Sequence, residues 1–303
     1  MKPNTTLPTN LPKTLLVVAA VLLAASAYAA PPTPVSSCGT IIFAAGNYFL
    51  AHNLTCPGAS GVIIAASKVD LDLKGFAIDG GGGSGYGIST SSSQMSSTAD
   101  LSLCLAVTNI HIHGGTIKGY GRTDGTAEGA GIILCSPNPP PGPAVPMSVQ
   151  VDHTVLNSNE IGVALISTAK NKIANNYISN NRVGIDLANG CATNALVGNL
   201  LDGNETGLAV GGPNNTADGN VAINSTLRGI LVSQVAVNTQ TTDNYTSHNL
   251  VGIEAQEFAA GNAFNGNTSF ANTSFDLEDD NGNCTSNTWR GNFFGTNSPG
   301  CIQ

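Results

Sequence analysis

The chain has 303 residues, a formal net charge of −8 and only 10% charged side chains. So acidic a balance excludes a typical nucleic-acid binder, because phosphate contacts need a basic face. It also repels polyanions unless cations or a local basic patch mediate, and no glycine-rich loop with a following helix offers a nucleotide site.

The N-terminus reads as an export signal over residues 1–29. Lys2 and Lys13 precede an apolar run from Leu15 to Ala25, which ends in Ala27-Tyr28-Ala29, the pattern of a cleavable leader. A run of about 11 apolar residues is too short to span a bilayer. The mature chain is expected to start near Ala30, to have no membrane span and to be secreted, extracellular or periplasmic. All seven cysteines follow the leader, which fits an oxidising compartment. Their order suggests the bridges Cys38–Cys56, Cys104–Cys135 and Cys284–Cys301, with other connectivities open. Cys191 is left over and reads as a small buried residue.

From residue 61 to 273 the chain repeats. Gly162, Gly184, Gly207, Gly229 and Gly252 recur every 22 or 23 residues, each opening a short strand such as Gly184-Ile185-Asp186-Leu187. A fixed period of this length signals a solenoid. Residues one and three after each Gly are apolar, the alternation of a strand with one buried face. A second strand precedes the next Gly, as in Ile173 to Ile178. Asn176, Asn199, Asn244 and Asn267 recur eight residues before the Gly slot, and Asn159, Asn181, Asn204, Asn249 and Asn272 three before it. Stacked Asn side chains can bond along a column, and Asn tolerates left-handed turn geometry. A leucine-rich repeat shares the period, but it needs a Leu-dense frame and often a helix per repeat.

The pattern resembles the right-handed parallel β-helix repeat family, the architecture of pectate lyases and many secreted carbohydrate-active proteins. The resemblance covers roughly Gly61 to Thr273 and implies an all-β solenoid. It leaves function to be argued from sites. Residues 30–60 and 274–303 are then expected to be disulfide-stapled caps over the open coil ends. Trp289, Phe293 and Phe294 would supply the apolar surface of the second cap.

Two early coils carry insertions at one corner. One is Ser/Thr-rich (Ser91 to Asp100), the other Pro-rich (Pro137 to Pro146). Long inserts on one corner often form a binding face. Alignment of the strands before each Gly predicts two outward columns, Asp72–His111–Gln150–Lys172 and Lys74–His113–Asp152–Ala174, with neighbours about 4.8 Å apart. A nearby extended corner adds Lys118, Tyr120, Arg122, Asp124 and Glu128. Lys74, His111, His113, Asp152 and Lys172 are candidate catalytic groups, because proton abstraction beside a uronate carboxyl needs a base and nearby positive charge. Asp72, Gln150, Tyr86, Lys118, Tyr120 and Arg122 are candidate binding groups, with the tyrosines as stacking platforms. A plainer reading is a solvated face of alternating charges, as in the ladder Glu160–Arg182–Glu205.

Val149-Gln150-Val151-Asp152-His153-Thr154 is similar to the Trp-Ile-Asp-His stretch of pectate lyases. The calcium-binding aspartates and the Arg-x-Pro-x-x-Arg motif of that family are missing, as are the Asp-Pro-His-Asp/Glu motif of alginate C5-epimerases and the paired aspartates of polygalacturonases. Asp276, Glu278, Asp279 and Asp280 offer hard oxygen ligands to calcium, although no calcium motif supports a site. His111 and His113 lack the companions of a zinc site. No cofactor is therefore expected. The reading that emerges is a secreted β-helix recognising an extracellular polysaccharide on its early coils, with a lyase or epimerase, or a structural surface protein, as alternatives.

Overall fold

Short parallel strands separated by short corners wind the chain into a right-handed solenoid in the computed structural model. It describes residues 31–92, 101–121, 129–137, 144–188, 190–282 and 285–302. The Gly-led strands form an eleven-stranded parallel sheet that includes Gly85–Ser89, Gly129–Cys135, Ile161–Ile166 and Val183–Leu187. A nineteen-stranded sheet makes the other two faces. These are joined because Ile110–Tyr120 and Gln150–Asn157 run unbroken round the corner between them.

The glycine period has a steric cause. A Cβ on Gly162 would lie 2.4 Å from the carbonyl oxygen of Gly184, and one on Gly184 would lie 2.4 Å from that of Gly207. Gly207 and Gly229 face the next glycine carbonyl at 2.6 Å. None of these four has a left-handed φ, so the requirement is space for the adjacent coil.

The corners carry the left-handed residues. Lys170 (φ 59°), Asn175 (φ 55°) and Asn180 (φ 54°) mark the three corners of one coil. The laddered asparagines stand one residue later and are not left-handed, which corrects the expectation that one Asn serves both purposes. Asn176 shows the bonding: its backbone N–H and its Nδ2 both donate to Oδ1 of Asn199, at 3.1 and 3.0 Å, and Nδ2 also donates to the Val151 carbonyl at 3.0 Å. The column continues through Asn220, Asn244, Asn267 and Asn292. Asn159–Asn181–Asn204 repeats it at the next corner. Asn171–Asn194–Asn215 forms a third column that the sequence spacing did not reveal. Each ladder satisfies buried backbone donors where strand pairing lapses.

Inside, aliphatic stacks such as Val163–Ile185–Leu208–Ile230–Ile253 are fully buried. Such a side chain contributes about 1.5–3 kcal/mol of transfer free energy. The coils extend beyond 61–273 at both ends. Thr33–Val35 pairs with Gly46–Leu50, and Phe275–Asp279 pairs with Asn297–Ser298, so much of each segment read as a cap is itself stacked strand. Trp289 lies flat on Phe264, with ring centroids 3.9 Å apart, and joins the core. Cys38–Cys56 and Cys104–Cys135 are bonded. Cys301 is also in a disulfide, while Cys284 lies outside the described residues. Cys191 is free and buried, and burial pushes its thiol pKa up to about 11.

Candidate functional site

Three parallel strands set the candidate site: Val69–Asp72, Ile110–Tyr120 and Gln150–Asn157. Their apolar residues, Val69, Leu71, Ile110, Ile112 and Val151, point into the core. Pleating therefore sends the residues between them outward. The observed register places Asp70 beside His111 and Asp72 beside His113, then His111 beside Gln150 and His113 beside Asp152.

This register corrects the first member of each expected column, and puts Asp72 rather than Lys74 beside His113. The first strand is displaced by two residues from the prediction, because Lys74 is a left-handed corner residue (φ 55°) and matches the corners at Gly114 (φ 72°) and His153 (φ 49°). A shift of two keeps the same face outward. The result substitutes Asp70, which sequence reasoning left out, for Asp72 as the neighbour of His111. Gln150 and Lys172 stand where they were expected, with Lys172 exposed one rung beyond Gln150.

The cluster is dense. His111 directs Nδ1 to Oδ1 of Asp70 at 2.9 Å and Nε2 to Oδ2 of Asp152 at 3.1 Å. His113 places Nε2 3.4 Å from the same Asp70 oxygen and Nδ1 3.8 Å from Oδ1 of Asp72. The two imidazoles stack at 4.3 Å. His153 reaches the other Asp152 oxygen at 3.0 Å, and the amide of Gln150 also donates to Asp152. Lys74 stands at the corner beyond this strand and pairs with Asp72 at 3.0 Å. Burial alone would raise the Asp152 carboxyl pKa. Hydrogen bonds from His153, Gln150 and His111 outweigh it and hold that carboxyl below its ordinary value. Asp72 is held low in the same way by the backbone N–H and ammonium of Lys74 and by His113. A shallow groove runs past Lys68, Asp70, Asn109, His111, Ser148 and Gln150.

The other candidates scatter. Tyr120 is fully buried, its ring packed beneath Gly80 and Gly87, and burial raises its phenol pKa. It cannot serve as a stacking platform. Tyr86 is also buried, in a second apolar cluster with Cys104, Ala130, Ile133, Cys135 and Ala164. That cluster lies on the outer side of the Gly-led sheet, where the described part of the first insert folds back through Leu103 and Cys104. The Cys104–Cys135 bridge ties this insert to the strand that leads into the second. Lys118 pairs with Asp79 at 3.2 Å on the adjoining face. Arg122, Asp124 and Glu128 lie outside the described residues.

Two carboxylates of the acidic C-terminal run, Asp276 and Asp279, are structural. Oδ2 of Asp276 accepts the backbone N–H groups of Gly295 and Thr296 at 3.0 and 2.8 Å. Oδ2 of Asp279 accepts the indole N–H of Trp289 at 2.9 Å. Both carboxylates have thus given oxygens to the fold that a calcium cage would need. A feature the sequence did not expose is a recess on the Gly-led sheet lined by Tyr86, Glu160, Arg182 and Asp186. There Arg182 pairs with Glu160 at 3.1 Å, and burial lifts the Asp186 carboxyl to about 6 despite the nearby guanidinium. The one signal was an Asp in a repeat slot held by Ala164, Ala209, Leu231 and Glu254 in the neighbouring coils.

Among solved structures the chain is similar to the Dettilon tailspike protein gp208, with TM-score 0.54 and 14% identity over 87% of this chain and 53% of that one. It is also similar to ORF18 of Geobacillus virus E2, with TM-score 0.57 and 10% identity over 85% of this chain and 52% of that one. The chain spans about half the length of these proteins, and at such identity the likeness establishes the fold. No curated protein sequence matches. The model of a family described as NosD, periplasmic copper-binding protein, matches residues 145–300, more than half of the chain, and with its stacked Gly-led coils this protein belongs to that family.

Proposed function

We propose that this is an exported β-helix protein that recognises an extracellular or periplasmic polysaccharide on the outer face of its early coils. The observation that carries the reading is the row of hydrogen-bonding groups on three successive strands: Asp70 and Asp72, His111 and His113, Gln150 and Asp152. Successive strands are about 4.8 Å apart, so an extended polymer laid across them meets fresh donors and acceptors at each step. Hydroxyl-rich ligands suit such a row, since carboxylate and imidazole groups bond hydroxyls strongly. The N-terminal leader pattern supports export. The carboxylates favour a neutral polymer, or a uronate whose charge is bridged by cations.

A lyase or epimerase is the second reading, favoured by His111, whose ring is oriented between Asp70 and Asp152. In that reading a His111 nitrogen released from its carboxylate takes the C5 proton beside the uronate carboxyl, and the electron pair left on carbon either expels the C4 oxygen (lyase) or accepts a proton on the opposite face (epimerase).

The deciding experiment is a panel of neutral and uronic-acid polysaccharides. It records retardation in affinity gels, ultraviolet absorbance from unsaturated products, and exchange of the sugar C5 hydrogen with solvent. Retardation that weakens at least tenfold in Gln150→Ala and His113→Ala is the expected result. New absorbance or hydrogen exchange, lost in His111→Ala, would establish the enzyme reading. Indifference to every polymer would refute both.

A further inference from the structure

Three atoms of the histidine face converge more tightly than a sugar-binding row requires. Oδ1 of Asp70 is approached by Nδ1 of His111 at 2.9 Å and by Nε2 of His113 at 3.4 Å. Among the described residues this is the one set of three His, Cys, Asp or Glu ligand atoms that lie within 4.8 Å of one another. An ion bound at the usual metal–nitrogen distance of about 2.0–2.1 Å has neighbouring ligands about 2.9–3.4 Å apart, from right-angled to tetrahedral coordination, and two of the three spacings, 2.9 and 3.4 Å, meet that.

The electrostatics point the same way. Asp70, Asp72 and Asp152 bring three carboxylates to the cluster, and Lys74 pairs with one of them, Asp72. A neutral imidazole carries a single N–H. His111 faces a carboxylate oxygen with each ring nitrogen, so in its neutral form one lone pair must point at an anion. A metal ion shared by a ring nitrogen and the carboxylate relieves that contact.

We propose that Asp70, His111 and His113 form a binding site for a divalent late transition-metal ion. Two imidazoles and one carboxylate suit copper, zinc or nickel, and suit calcium or magnesium poorly. The three residues come from two adjacent strands, and the flat sheet beneath them holds their Cα atoms fixed. The rings stack face to face, at an interplanar angle of 24°, so ligation turns at least one imidazole about its side-chain bonds to aim its lone pair at the ion. Both rings are partly exposed, at 38% and 26%, which leaves room for that turn. The groove beside Asp70 and His111 gives the ion entry and leaves outer coordination positions to water or to a ligand. None of the three residues lies in the 145–300 segment matched by the family model, so the family description does not assign this site. The inference is independent of the sugar reading.

The test is calorimetric titration of chelator-treated full-length protein with Cu²⁺, Zn²⁺ and Ni²⁺, with Ca²⁺ and Mg²⁺ as comparisons. One transition-metal ion per chain is expected. Affinity should fall at least tenfold in His113→Ala and in Asp70→Asn, and more in the His111→Ala/His113→Ala double variant. The electron paramagnetic resonance spectrum of the Cu²⁺ form should show coupling to two imidazole nitrogens, reduced to one in His113→Ala. Unchanged circular dichroism and melting of the apo variants would show that the fold survives, and His52→Ala and His248→Ala should bind as the parent does. Failure to bind any of the three transition metals would overturn the site, as would binding that the double variant retains. Polymer retardation by chelator-treated protein reads the sugar proposal separately.

Discussion

The Nε2 of His111 lies 3.1 Å from Oδ2 of Asp152, one strand over and two residues beyond its own register partner, Gln150. This diagonal contact anchors a carboxylate that is mostly buried, with its side chain 10% exposed. Asp152 has a folded-state pKa below the ordinary value of about 3.9. Its bonds therefore contribute stability that is present above about pH 4 and lost as pH falls through the folded value. Asp152→Ala should cost about 1–3 kcal/mol at pH 7. Urea denaturation of parent and variant should show the gap narrowing as pH falls below about 4.

Asp186 carries the opposite sign. Its pKa is raised to about 6, so the folded state holds the proton more tightly than the unfolded chain. The stability it contributes is complete below about pH 4 and is lost as pH rises through about 6. Asp186→Asn keeps the shape without the charge. After allowance for its partial exposure, it should stabilise the protein by about 1–2 kcal/mol at pH 7.5 and have little effect at pH 4. Melting temperatures at the two pH values read the difference directly.

The glycine column predicts an intolerance that backbone strain does not explain. Gly184→Ala would place a Cβ 2.4 Å from the Gly207 carbonyl and 2.8 Å from Cδ2 of Leu201. It should cost about 3 kcal/mol or more, because the next coil must move. Gly219 is a left-handed corner residue (φ 61°), and a Cβ added there would meet nothing within 4 Å, so Gly219→Ala should cost only about 1–2 kcal/mol. Equilibrium denaturation of the two variants separates crowding from backbone strain.

Asn199 sits mid-ladder. Its Oδ1 accepts from the backbone N–H and side chain of Asn176, and its own Nδ2 donates to the Ile173 carbonyl. Asn199→Ala strands a buried backbone donor and should cost about 2–4 kcal/mol, since each orphaned buried group costs about 1–3 kcal/mol. The Asn176 amide should then lose hydrogen-exchange protection. Exposed Asn224 bonds Asp202 at 2.8 Å and is a left-handed corner residue (φ 58°), so Asn224→Ala should cost only about 1 kcal/mol, from backbone strain, and leave the Asn176 amide protected.

The sequence by itself determined the solenoid, its period and its inward faces. A chain without helical periodicity can bury alternating residues only by stacking strands, and a Gly every 22 or 23 residues marks where coils crowd. Two of the asparagine columns were legible for the same reason, since a column repeats at the coil period, whereas Asn171–Asn194–Asn215 was not. The tertiary structure decided what a period cannot encode. Lys74 bends the chain instead of extending it, and that moved the register by two and brought Asp70 to His111. Tyr86 and Tyr120 look like surface aromatics in an irregular stretch, yet glycines open space that draws Tyr120 inside, while the folded-back insert covers Tyr86. Asp186 lies in a slot that faces outward in every coil, and only the wall of Tyr86, Glu160 and Arg182 around it makes that position a recess. Periodicity is a local property that each coil repeats. Register at a corner and cover over a face depend on where several coils and an insert meet, so they become fixed only when the chain folds.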